Sequence, residues 1–194
     1  MSADHTPLAA LRAGGKPALA AALADLERRP ESPGISALLD AAWREPRAHV
    51  VGVTGPPGVG KSTLLGVLIA ALRHDSKTVG VIAVDPSSRR SGGALLGDRI
   101  RLATDPSDEG VFVRSMAARD RLGGLAEITV AAMVIMRAVY DLVLIETVGV
   151  GQSEADVAGA ADTVLFCVQP GSGDSLQFMK AGIVEIPDII AVTK

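Results

Sequence analysis

Cysteine is nearly missing from this sequence. Cys167 is the only one in 194 residues, which excludes an internal disulfide framework and a metal site built from clustered thiolates. Aromatic residues are scarce too, at 3%, so a core must be built from Ala, Val, Leu and Ile, and a hydrophobic content of 48% supplies them. No apolar run reaches the roughly 18 residues of a membrane span, and no basic start followed by an apolar block opens the chain. Positive charge is not in excess either. Nineteen Lys and Arg against 22 Asp and Glu leave a net charge of −3, without the electrostatic footprint of a nucleic-acid binder. These absences predict a soluble, cytoplasmic globular protein with neither nucleic acid nor membrane as a partner. Cys167, set in an apolar run, reads as a small core residue.

What the chain has in quantity is aliphatic periodicity, of two kinds. Up to about residue 48 the spacing is helical. Leu8, Leu11, Leu19, Leu23 and Leu26 predict amphipathic helix, Pro30 and Pro33-Gly34 interrupt it, and a second helix follows from Ile35 to Arg44. Trp43 is expected to cap a core edge, since tryptophan is usually largely buried. From His49 short apolar runs alternate with helical segments. Strands are predicted at Val50–Thr54, Thr78–Val84, Val111–Val113, Leu142–Ile145, Thr163–Val168 and Asp188–Val192, with helices at Ser62–Arg73 and Leu125–Tyr140. Strands apolar on both faces and separated by helices predict an α/β fold: a mostly parallel sheet flanked by helices. The last two strands are expected to be of the same fully buried type as Leu142–Ile145. The organisation read from this is a helical N-terminal extension, 1–48, followed by a nucleotide-binding domain, 49–194. The ending Ala191-Val192-Thr193-Lys194, directly after an apolar strand, reads as a truncation.

One motif carries the chemistry. Gly55-Pro56-Pro57-Gly58-Val59-Gly60-Lys61-Ser62-Thr63 satisfies G-x-x-x-x-G-K-[ST], with an apolar strand before it and an amphipathic helix after it. Glycines let the backbone curl so that successive N–H groups face phosphate oxygens, and the helix adds the positive end of its dipole. Lys61 supplies a point charge for the β- and γ-phosphates. Ser62 supplies a hydroxyl for Mg²⁺, a cation that takes oxygen ligands. The motif is a P-loop, and it predicts a purine nucleoside triphosphate as ligand.

Four further segments follow strands and so fall on the crevice side of an open α/β sheet. Asp85-Pro86-Ser87-Ser88 places a carboxylate where it reaches Mg²⁺ or the attacking water, although its composition is also that of an ordinary solvated turn. In Gly92-Gly93-Ala94-Leu95-Leu96-Gly97-Asp98-Arg99 the glycines suit a mobile switch, while Asp98 is equally an N-cap. Glu146-Thr147-Val148-Gly149-Val150-Gly151-Gln152-Ser153-Glu154 puts an acid at the metal and the Gly149 N–H at the γ-phosphate. Gln169-Pro170-Gly171-Ser172-Gly173-Asp174 is a loop at the same edge. Last, Thr193-Lys194 is the first half of the guanine-reading pattern Asn/Thr-Lys-x-Asp.

In order along the chain, Thr54–Thr63, Asp85–Ser88, Gly92–Arg101, Glu146–Glu154, Gln169–Gln177 and Gly182–Lys194 resemble the methylmalonyl-CoA mutase-associated GTPases, the MeaB/ArgK type of P-loop GTPase. The Glu146–Glu154 and Gly92–Arg99 runs are far more specific than the P-loop alone. The resemblance implies a GTP-hydrolysing chaperone, slow without its partner, that uses Mg²⁺ and cycles between GTP and GDP. It implies service to an adenosylcobalamin-dependent methylmalonyl-CoA mutase in cofactor loading and protection, with a cobalamin adenosyltransferase as a second candidate partner. Carried over by position, Lys61 and Ser62 match the phosphate and Mg²⁺ ligands. Asp85, Asp98 and Glu146 match the acidic set around metal and water. Thr193 stands where many members have Asn. The family's base-reading Asp and its C-terminal dimerisation segment have no counterpart in this sequence, which predicts softened guanine selectivity and no family-type dimer.

Two alternatives share the P-loop. A nickel or cobalt metallochaperone GTPase needs His/Cys clusters, and here His5, His49 and His74 are scattered. A small-molecule kinase needs a phosphoacceptor pocket and a lid, which the switch-like loops and Thr193-Lys194 do not suggest.

Overall fold

The computed structural model describes residues 6–85, 104–105, 107–117, 127–147, 153–171 and 187–193. Helices α1 (Pro7–Arg28) and α2 (Pro33–Arg44) lead into β1 (His49–Thr54), α3 (Lys61–His74), β2 (Val79–Asp85) and β3 (Val111–Ala117). Then come α4 (Glu127–Arg137), β4 (Leu142–Glu146), α5 (Ser153–Ala160), β5 (Thr163–Val168) and β6 (Ile189–Val192). The six strands form one sheet in the order β3-β2-β4-β1-β5-β6, and every described pairing is parallel. The expected α/β architecture is therefore what the chain adopts. No helix among the described residues is long and apolar enough to cross a membrane.

Strand periodicity divides the core in two. Val50, Ile82, Val143 and Ile145 face one way and join a cluster with α1, α2 and α4. Val53, Val81, Leu144 and Cys167 face the other way and meet Leu65 and Ile69 of α3. Because successive side chains alternate across a strand, a fully aliphatic run serves both faces at once. Leu8, Leu19, Leu23 and Leu26 of α1 lie in the first cluster, so the N-terminal helices close one face of the sheet. Arg12 fixes them there. Its guanidinium donates to the Ala138 carbonyl just past α4 and pairs with Glu45 at 2.7 Å.

Local signals set the helix starts. The Thr6 and Ser32 hydroxyls accept from Ala9 N and Ile35 N, satisfying N–H groups that have no partner within the helix. Pro33 opens α2, two residues before the predicted start, because proline suits the first helical position. A kink at Gly15 divides α1, with Pro17 just beyond it. Strand β3 runs four residues past its predicted end, and the helix predicted to reach Tyr140 ends at Arg137.

Two expectations fail. Trp43 caps no core edge and is 72% exposed. Helix α2 buries Ile35, Leu38 and Ala42, and Trp43 falls one residue, about 100°, off that stripe. Strand β6 is not of the fully buried type either: Ile189, Ile190 and Val192 are 53%, 55% and 69% exposed. Among the described residues it lies at the edge of the sheet, with β5 as its one strand partner.

Candidate nucleotide-binding site

The site sits where the chain's path reverses within the sheet. Strand β1 is flanked by β4 and β5, so the loop after it opens between two strand ends, where ligands of open α/β sheets bind. That loop is Gly55–Gly60. Its course depends on glycine at two points. Gly55 has φ +135, and a Cβ there would lie 2.2 Å from the Cys167 carbonyl oxygen of β5. Gly60 caps α3 with φ +101, a left-handed conformation that L side chains rarely adopt. No side chain caps α3, so its first N–H groups remain directed at the loop.

Lys61, the first residue of α3, is 7% exposed, and its ammonium donates to the carbonyls of Gly55 at 2.8 Å and Pro56 at 3.0 Å. The charge is thus held over the loop's interior by the loop's own backbone. Ser62 Oγ donates to Glu146 Oε1 at 2.6 Å, which joins the first turn of α3 to the end of β4. A hydroxyl and a carboxylate oxygen in contact at a helix N-terminus are the hard, anionic donor set that Mg²⁺ takes, so the residues fit the metal. Pro56 and Val59 are buried, while Pro57, Gly58 and Thr63 are exposed.

The structure also brings in Thr54 and Thr147, to whose side chains the sequence assigned no role, and gives Thr193 contacts other than those expected. The Thr147 hydroxyl, directly after Glu146, donates to the Thr54 hydroxyl at 2.9 Å. The Thr193 hydroxyl, expected to belong to base reading, faces the Val59 carbonyl within the P-loop and the Val168 carbonyl of β5. A hydroxyl has one proton, so it serves one of these carbonyls at a time. The available signal was a threonine at or just past the end of each of these mostly aliphatic strands.

Other expected residues are placed in part or not at all. Asp85 closes β2, in register with Ala117, and its side chain lies outside the described residues. Asp98, Gly149 and Lys194 lie outside them as well, as does most of the loops expected at 92–99 and 169–174. Of the acidic set, Glu146 alone is positioned here. Cys167 is the core residue expected, and burial pushes its thiol above its ordinary pKa, so it stays protonated. Two further well-bonded carboxylates lie at the opposite, N-terminal ends of the strands. Asp141 accepts from the Thr78 N–H and hydroxyl, both at 2.8 Å, and Asp108 pairs with Arg73. Hydrogen bonds lower the pKa of both, from Thr78 in one case and from Arg73 in the other.

Comparison with known proteins identifies the family. The family model described as "Methylmalonyl Co-A mutase-associated GTPase MeaB" matches residues 19–194. A protein of Pyrococcus horikoshii named as a GTPase is 55% identical over 148 residues, covering 76% of this chain and 47% of that protein. The Mus musculus protein named "Methylmalonic aciduria type A homolog, mitochondrial" is 42% identical over 151 residues, covering 77% of this chain and 36% of that protein. A crystal structure described as "LAO/AO transport system kinase" superposes with a TM-score of 0.62 at 25% identity, covering 99% of this chain and 70% of that one. The chain spans about half the length of the curated relatives it matches. By the extent of the family match, the chain belongs to the methylmalonyl Co-A mutase-associated GTPase family.

Proposed function

We propose that this chain binds guanine nucleotide at Gly55–Thr63 and hydrolyses GTP with Mg²⁺, as a chaperone of an adenosylcobalamin-dependent methylmalonyl-CoA mutase. The observation that carries the nucleotide reading is the buried Lys61 ammonium over the P-loop backbone, beside a Ser62–Glu146 contact that joins the loop to β4. Family membership and the GTPase names of the relatives support guanine and hydrolysis. The family description and the name of the mouse relative support the mutase. A cobalamin adenosyltransferase is the second candidate partner. The division into an extension, 1–48, and a GTPase domain, 49–194, belongs to the same reading.

In this scheme the loop N–H groups and the start of α3 hold the phosphates, and Lys61 neutralises charge on the β- and γ-oxygens. Ser62 and Glu146 would hold the metal or its water, joined by Asp85 and Asp98. Mg²⁺, when bound, would offset charge developing on the transferring phosphoryl oxygens. Gly149 would report the γ-phosphate, and Thr193-Lys194 would approach the base. A kinase reading has the name of the solved relative in its favour. The metallochaperone reading has less: among the described residues no group of three or more His, Cys, Asp or Glu could hold a metal ion.

Titration with GDP, a GTP analogue and ATP tests the reading, and preference for ATP would favour the kinase. Lys61→Ala should weaken triphosphate binding by about 100-fold, on the order of 3 kcal/mol for lost charge-assisted hydrogen bonds, while leaving the circular dichroism spectrum unchanged. Unchanged affinity in that variant would show that the nucleotide binds elsewhere.

A further inference from the structure

Two adjacent residues at the end of β4 touch the P-loop at both of its ends. Glu146 accepts from Ser62, just after the loop, and Thr147 donates to Thr54, just before it. The alternation of side chains in an extended chain makes this possible: Glu146 goes one way and Thr147 the other. The backbone keeps the register. Val53 pairs with Glu146, and the Thr147 N–H donates to the Val53 carbonyl at 3.1 Å. Thr54 and Thr147 are 1% and 2% exposed. On its other side Gly55 is already against the Cys167 carbonyl, so the start of the loop is confined between β4 and β5.

The pair is not accounted for by stability. Burying two hydroxyls together replaces two hydrogen bonds to water with one between them, and two valines of the same shape would fill the space equally well. What valines would lose is direction, because a hydrogen bond fixes distance and angle where an aliphatic contact does not. We infer that Thr54 and Thr147 are positioning residues: their hydroxyl bond sets where the end of β4 stands against the P-loop, and so holds Glu146 within reach of Ser62. The Ser62 contact is the one that a bound cation would compete for, whereas Thr54–Thr147 lies off that face and serves as the fixed pivot. This deepens the proposed function and rests on it for its catalytic consequence.

The test compares Thr54→Val, Thr147→Val, the double variant and Thr147→Ser, in GTP turnover over a Mg²⁺ titration. Each valine alone should lower Tm, because it leaves one buried hydroxyl without its partner. The double variant should return to near the wild-type Tm. Despite that recovery, its kcat should fall about tenfold and its half-saturating Mg²⁺ should rise about tenfold, with KM for GTP little changed. Thr147→Ser, which keeps the hydroxyl, should restore both. A double variant with wild-type kcat and Mg²⁺ dependence would overturn the inference. Amide hydrogen exchange in the nucleotide-free protein reads the brace independently of turnover. Exchange at the Gly55, Gly58, Val59 and Gly60 amides should be faster in the double variant, and unchanged exchange would overturn the brace. If the wild-type chain neither binds nor hydrolyses GTP, the proposed function fails, and the exchange comparison alone decides the positioning role.

Discussion

Strands β1 and β6 read almost alike: Val-Val-Gly-Val-Thr in one and Ile-Ile-Ala-Val-Thr in the other. Both run in the same direction, and each is closed or followed by a threonine: the Thr54 hydroxyl accepts from Thr147, and the Thr193 hydroxyl reaches the Val59 carbonyl of the P-loop. They are not equivalent in the fold. Strand β1 has a neighbour on each side and a covered face above and below, so Val50 and Val53 are fully buried. Among the described residues strand β6 has β5 alone beside it, and three of its side chains are more than half exposed. Apolar composition makes a strand; the number of neighbours decides what that strand contributes. The P-loop is accordingly confined between two strands where it leaves β1 and met by a single side chain, Thr193, where β6 ends.

The comparison can be broken most severely at Gly55. Gly55→Ala places a methyl group 2.2 Å from the Cys167 carbonyl, at a φ that L residues avoid. We expect a loss of about 3 kcal/mol or more in urea unfolding, with nucleotide binding abolished. Matched truncations come next. Val53→Ala should cost about 2 kcal/mol, the lost methyl burial plus a cavity. Val192→Ala, which likewise precedes a threonine, should cost less than about 0.5 kcal/mol. Equal costs would show that β6 is as covered as β1.

A smaller effect tests the contact at the end of β6 directly. Thr193 has one proton for two carbonyls, whereas an asparagine amide has two N–H donors. Thr193→Asn should therefore tighten GDP binding by about two- to fivefold, which corresponds to roughly 0.5–1 kcal/mol for one added hydrogen bond. Calorimetric titration would measure it, and weaker binding would show that the single proton is not what limits the contact.

The smallest effect concerns acid, and it acts at the opposite, N-terminal ends of the strands. Asp141 and Asp108 have pKa values lowered in the folded state, so their contribution to stability is complete above the unfolded carboxylate value of about 3.9. It is lost as pH falls through the lower, folded values. Asp141→Asn should be less stable than the parent at neutral pH and lose less of its stability between about pH 4 and pH 2. Acid unfolding curves would check the flattening.

What could be read from the sequence was local. The P-loop declares itself within nine consecutive residues, because phosphate binding needs glycines, a lysine and a hydroxyl at fixed offsets. Glu146 was legible because an acid directly after a buried strand faces the crevice. Trp43 was misread by trusting residue type over spacing; Ile35, Leu38 and Ala42 already marked the buried stripe, and position 43 lies beside it. The exposure of β6 was not legible, since composition does not reveal whether a strand lies at an edge. The Thr54–Thr147 pair needs a register across 93 residues, and the Thr193–Val59 contact joins positions 134 apart. Neither separation leaves a mark on local periodicity.

Those separations also bear on how the site is acquired. During synthesis the P-loop sequence emerges with β1, but the strands that confine it emerge long afterwards, β4 and β5 first and β6 last. Closing such distant contacts is entropically slow, and parallel pairing always requires it. A nascent chain that has passed residue 63 but not residue 168 therefore carries every phosphate-binding residue of the motif without the walls that shape it. Nucleotide should accordingly act late, on a nearly complete sheet, by capturing the assembled state and not by guiding the chain towards it.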